Sequence, residues 1–239
     1  RKLHTAYTEK AARIAAHEPE SKILRAFEHL LKEAVSDFSR ICETKTCPRV
    51  GIVGEIYLKF NPFAQKGLSS WLIEHHIEAV PPALTDFFMQ GFINYEVKRR
   101  SDLGSPRIPV WLMRKASGHM HRIVSRFNGI ASGFPYFLPF GNVFEEASAA
   151  SEILSLNAQF GEGWLLPGEI ASFARHGVNN IISLQPFGCI ANHIVSKGVE
   201  KRIRQLYPQL NLLSLDFDGS VSDVNILNRL LLFVANLKQ

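Results

Sequence analysis

With 239 residues, 46% hydrophobic and 21% charged, the chain has the make-up of a globular protein able to bury one good core, which excludes disordered, collagen-like and disulfide-rich classes. The net charge of +5 would suit the phosphates of a cofactor, RNA or an acidic protein, and selects none of them. Three cysteines fit a reducing cytoplasm better than a secreted scaffold, and neither a run of about 18 apolar residues nor the apolar core of a signal peptide is present.

The chain opens without a methionine in a polar helical pattern, as a fragment of a longer protein would. Ile23, Leu24, Phe27, Leu30, Leu31, Val35 and Phe38 recur at three- and four-residue steps and predict a helix over 21–41, with Pro19 just ahead of it. The polar breaker ETKTCP precedes Val50, Ile52 and Val53, whose setting among glycines predicts the first buried parallel strand. The loop GEIYLKFNPFAQKG follows. A helix through Leu68, Trp71, Leu72 and Ile73 and a short strand at 78–80, stopped by Pro81 and Pro82, then complete a βαβ unit.

Helices over about 84–100 and 110–127 are expected to cover the sheet, separated by the turn SDLGSPRIP. FPYFLPFG at 134–141 reads as loop, because its prolines remove backbone donors. An alanine- and serine-rich helix to about residue 156 and a helix over 167–175, ended by Gly177, lead to a second buried strand at 180–184. A helix over 190–206, a strand from Asn211 and a closing helix over about 222–236 finish the chain. This alternation predicts an α/β fold: an open parallel, Rossmann-like sheet with helices on both faces over 48–239, preceded by a helical arm or linker over 1–47.

Ligands of open α/β sheets bind outside the carboxyl ends of the strands, so three loops could carry function. They are GEIYLKFNPF, QPFGC and DFDGSVSD. Cys189 ends the second, one residue before the expected helix, where the helix dipole and free N–H groups favour a thiolate. Gly188 allows close backbone approach to a bound group, and His193 falls on the same helix face as Cys189. Glu55, Tyr57 and Asn61 in the first loop and Asp216, Asp218 and Ser220 in the third could orient a ligand, although such residues also serve turns and caps. Ser222 and Asp223 read as capping residues.

Cys42 and Cys47 lack a second cysteine pair and read as incidental. Adjacent His75 and His76 cannot share a helical face, which argues against a metal role. No GxxxxGK[ST], GxGxxG after a strand, GxSxG or HExxH occurs, disfavouring nucleotide hydrolysis and ordinary dehydrogenase chemistry.

RVGIVGEIYLKFNPFAQ (49–65) and the stretch from GEGWLLPGEIASFARHGVNNIISLQPFGCIANHI to DGSVSDVNILNRL (161–230) resemble the C-terminal half of 2-hydroxyacyl-CoA dehydratase component D-like regions attached to CoA-substrate-specific activases. The resemblance implies an ATP-driven activase that passes an electron to a component carrying a [4Fe–4S] cluster, for reduction or radical dehydration of an acyl-CoA. It implies Cys189 as a cluster ligand, while Glu55, Asn61 and Gly188 are the candidate cofactor-binding residues by their loop positions alone. The other cluster cysteines would lie in a preceding dehydratase-like domain, so the chain by itself is expected to be cluster-free and inactive. Implied partners are that domain and the activase, with acyl-CoA as a further ligand; nucleic acid and membrane are not among them. Two other readings stand beside this one. A docking module would present Lys201, Arg202 and Arg204 to the activase, and a cysteine-nucleophile enzyme would use Cys189 with His193.

Overall fold

The computed structural model describes residues 2–43, 46–104, 108–139, 142–218 and 223–237. They divide into two compact units, one of residues 1–45 and 110–140, the other of 46–109 and 141–239.

The first unit is helical: α1 (Lys2–His17), α2 (Glu20–Ile41) and α6 (Val110–Ala131). Tyr7 of α1 is buried against Phe38 of α2, and its hydroxyl donates to Asp37 at 2.7 Å. Arg126 of α6 reaches Glu28 of α2 at 2.6 Å. The arm expected over 1–47 therefore has a third helix that arrives from later in the chain. Expected to cover the sheet, α6 groups instead with α1 and α2. Its apolar stripe predicts burial without naming the partner surface, which is why sequence adjacency misplaced it.

The second unit is an α/β sheet structure. Four strands, β1 (Arg49–Gly54), β2 (Glu78–Val80), β3 (Asn180–Pro186) and β4 (Asn211–Phe217), are all parallel and ordered β2-β1-β3-β4. Parallel strands buried on both faces need continuous apolar runs, and Val50, Ile52, Val53, Ile181, Ile182 and Leu184 are all at most 1% exposed. Their side chains alternate between two cores. Ile52, Ile182 and Leu215 face α4 (Leu68–Glu74) and α10 (Asp223–Ala235), while Val53 and Ile181 face α8 (Leu165–Arg175) and α9 (Glu200–Leu206). Helices thus cover both faces, as the sequence predicts.

Two details differ from expectation. The loop after β1 contains a short helix, α3 (Ile56–Phe60), and the helix expected over 190–206 is broken. In its place stand a π-helical turn at Ala191–Ser196 and α9, joined through residues 197–199. A Cβ at Gly198 would meet the Ile194 carbonyl at 2.1 Å, so this tight junction depends on glycine. Of the helices α5 (Leu84–Arg100) and α7 (Val143–Ser151), α7 packs on α8 and α5 packs on α7. Among the described residues no helix is long and apolar enough to cross a membrane.

Candidate functional site

After β1 the chain moves outward to β2, and β3 then lies on the other side of β1. The two central strands are therefore the point at which connections leave in opposite directions, the place where open α/β sheets form a crevice at the strands' carboxyl ends. All strands run the same way, so the loops after β1, β3 and β4 leave from one edge of the sheet. The expectation that chemistry belongs in these loops acquires a definite location between β1 and β3.

Gly54 closes β1 there with φ 123°, and a Cβ at this position would lie 2.1 Å from the Leu184 carbonyl oxygen. Only glycine permits that approach. The next residue, Glu55, donates its N–H to the same carbonyl at 3.0 Å, and its carboxylate accepts from the Leu58 N–H at 3.0 Å. Glu55 is thus the N-cap of α3. Asn61 ends α3, and its side-chain oxygen accepts from the N–H groups of Phe63 and Ala64 at 2.9 and 3.2 Å. Both residues, expected to orient a ligand, are engaged in shaping the loop that borders the crevice. Tyr57 projects from α3 and is 60% exposed.

On the β3 side, the Cys189 N–H bonds the Pro186 carbonyl at 3.1 Å, closing a turn that places Gly188 at φ 80°. Cys189 is half-buried, with Phe187 and Ile190 exposed on either side. Its sulfur accepts from the Asn192 side-chain N–H at 3.2 Å, and Asn192 is fully buried. His193 turns elsewhere: its Nε2 lies 3.8 Å from Asp216 Oδ1, and Lys197 approaches the other Asp216 oxygen at 3.7 Å. The π-helical turn thus gives the thiol an amide neighbour, while the imidazole faces the β4 loop. Asp216 and His193 come together as a pair that sequence spacing did not foretell. Asp218 is half-buried in the same loop; Ser220 and Ser222 lie outside the described residues.

His75 stacks on Trp71 at 4.0 Å and bonds the Trp71 carbonyl, while Cys42 caps the end of α2 and is exposed. Arg204 pairs with Glu200 at 2.8 Å and donates to the Leu212 carbonyl at 2.9 Å. Part of the basic run over 201–204 is therefore structural. A shallow depression of about 480 Å³ lies on α9 among Glu200, Lys201, Arg204 and Gln205.

Sequence reasoning missed a group of buried charges centred on α3. Lys59 of α3 is fully buried and donates to both oxygens of Glu169 of α8, at 2.7 and 3.0 Å, with Glu162 at 3.8 Å. Asp86 of α5 and Glu146 of α7 are buried alongside. Burial pushes the Asp86 and Glu162 carboxyls up to about 7; Glu169 adds to the rise in both, against the pull of Lys59. Burial, reinforced by Asp86 and Glu169, holds Glu146 well above the usual carboxylate range. The signal was hidden because Asp86 and Glu146 sit in first helical turns, and a helix expected to begin at residue 167 places Glu169 there too. Carboxylates are ordinary at such positions, where they complement the helix dipole.

For an iron–sulfur cluster the donor set fits only in part. Such clusters take about four thiolates. Cys189 supplies one at the crevice, and among the described residues no three His, Cys, Asp or Glu side chains are grouped to hold a metal ion. Comparison with known proteins adds no relative: no protein-family model, curated protein or solved structure matches the chain.

Proposed function

We propose that this chain is part of a 2-hydroxyacyl-CoA dehydratase component D-like protein, in which Cys189 furnishes one ligand of a [4Fe–4S] cluster shared with a preceding domain. The reading rests on one observation above the others. The cysteine of QPFGCIANHI stands half-buried in the loop that leaves the carboxyl end of β3, on a turn built by Gly188. When bound, the cluster would supply one-electron transfer, received from an ATP-dependent activase, toward an acyl-CoA substrate. This chain's own residues would position the sulfur. Asn192 donates to it, Gly188 sets the turn, and Gly54 and Glu55 hold the opposite wall of the crevice. Three free cysteines accord with action in a reducing cytoplasm.

Anaerobic reconstitution with iron and sulfide tests the proposal on a polypeptide carrying both this chain and the preceding domain. Brown, iron-loaded protein is expected, with Cys189→Ala losing iron. Full iron retention in the folded variant would overturn the assignment.

A further inference from the structure

We propose that Asp86, Glu146, Glu162 and Glu169, gathered around Lys59, form a buried proton-binding site that holds protons while the protein is folded and communicates with the β1 strand end through Glu162. The case begins with a charge count. Four carboxyl groups surround one ammonium, and only Glu169 makes direct hydrogen bonds with it. Lys59, Glu162 and Glu169 have side chains 1%, 6% and 2% exposed, and Asp86 is completely sealed. An unpaired buried carboxylate is strongly disfavoured, and the usual remedy is to take up a proton.

The hydrogen-bond inventory agrees. Both oxygens of Asp86, one of Glu146 and one of Glu162 are buried without a hydrogen-bond partner, as is the side-chain oxygen of Gln90 one helical turn beyond Asp86. A bare carboxylate oxygen needs a donor. A protonated carboxyl can itself donate to a neighbouring oxygen, so protons satisfy what the side chains alone leave unmet. The placement is built by the fold: at Gly168 a Cβ would meet the Glu146 carbonyl oxygen at 2.9 Å, so α8 lies directly on α7 and brings Glu169 toward Glu146. Nearby, Trp164 is fully buried and donates to Asn94 of α5 at 2.7 Å, fastening the turn that carries Glu162.

The charged groups facing the site come from every surrounding element. Lys59 and Glu55 belong to α3 and its cap, Asp86 to α5, Glu145 and Glu146 to α7, Glu162 to the turn before α8, and Glu169 to α8. Glu162 is the member on which Glu55 acts, raising its proton affinity, while the Ile56 backbone N–H and Lys59 favour its ionised form. A change of charge at the strand end therefore alters the proton occupancy of the site. Nothing in this requires Cys189 to bind iron, so the two proposals stand or fall separately.

Infrared difference spectroscopy of the intact chain, titrated with acid and base in H₂O and D₂O, reads the protons directly. Wild-type protein is expected to show a protonated-carboxyl C=O band at neutral pH that titrates away around the value of about 7 set by Asp86 and Glu162. Asp86→Asn and Glu162→Gln should each remove part of this band, and Glu55→Gln should lower the midpoint of the Glu162 component. Thermal stability gives a second readout. A carboxyl whose folded pKa lies above its unfolded value of roughly 4 contributes stability that is complete below that value and is lost as pH rises through the folded one. Wild-type Tm should therefore fall from acid to neutral pH, and the fall should be shallower in Asp86→Asn. If a variant does not fold, the wild-type band alone decides. Absence of that band at neutral pH, an unshifted midpoint in Glu55→Gln, or Mg²⁺ or Ca²⁺ raising the Tm of wild type but not of Asp86→Asn would overturn the proposal.

Discussion

The Cys189 turn and the Lys59 group belong to the same unit and differ in how much charge they bury. At the turn, the sulfur has one amide neighbour and open flanks, and the exposed Phe187 and Ile190 bury little. Around Lys59 the carboxyl groups of Asp86, Glu146, Glu162 and Glu169 are sealed among α3, α5, α7, α8 and the turn before α8. The polar contact at stake at the turn is the one from buried Asn192 to the sulfur, so substituting Cys189 alters chemistry at a modest cost in stability. In the sealed group each proton and each ion pair is part of the folding equilibrium. A residue's contribution to stability and its contribution to reactivity are thus separated in space.

Four substitutions sharpen or break this contrast. The largest effect belongs to Lys59→Met, which leaves Glu169 and its neighbours without a counter-charge; a loss of about 3–5 kcal/mol is expected in urea unfolding at neutral pH. The loss should shrink in acid, where the carboxyls take up protons, and a loss that does not change with pH would contradict the electrostatic account. Next comes Gly54→Ala. Its Cβ would collide with the Leu184 carbonyl in a backbone conformation that alanine resists, and about 3 kcal/mol is expected.

Asn61→Ala removes the acceptor for two backbone N–H groups at the end of α3 and should cost about 1 kcal/mol. Its unfolding midpoint checks whether Asn61 serves the loop; a strong loss of iron from the reconstituted protein without destabilisation would instead restore it as a residue facing the bound group. The smallest effect is expected for Cys189→Ala, a loss of about 0.5–1 kcal/mol by the same assay, because the buried Asn192 N–H loses its weak sulfur acceptor. A much greater loss would mean that the thiol is a packing element and that the contrast between the two regions is false.

Much of the second unit is legible in residue pattern. The apolar runs VGIV and NIISL, the breaker prolines at 81 and 82, and the alternation of strand with helix after residue 165 lead to the sheet that is observed. Of the site, the Cys189 turn is legible because GC following a buried strand marks a strand-end loop. Glu55 and Asn61 were found as residues of the right loop, but their hydrogen bonds assign them to capping and turn formation. The Asp216–His193 pair was not legible, since it depends on β4 lying beside β3 and on the π-helical turn that redirects the imidazole.

By itself, the sequence determined which segments become strands and helices and which loop carries the cysteine, because periodicity and turn chemistry act over a few neighbouring residues. Tertiary structure alone decided that α6 joins α1 and α2, that β1 and β3 form the switch point, and that Lys59 meets carboxyl groups from three other helical regions. Those outcomes depend on which surfaces exclude water together. The hydrophobic effect is non-directional, so an apolar stripe encodes burial without specifying its partner. A carboxylate in a first helical turn likewise looks the same in sequence whether solvent or another helix finally covers it.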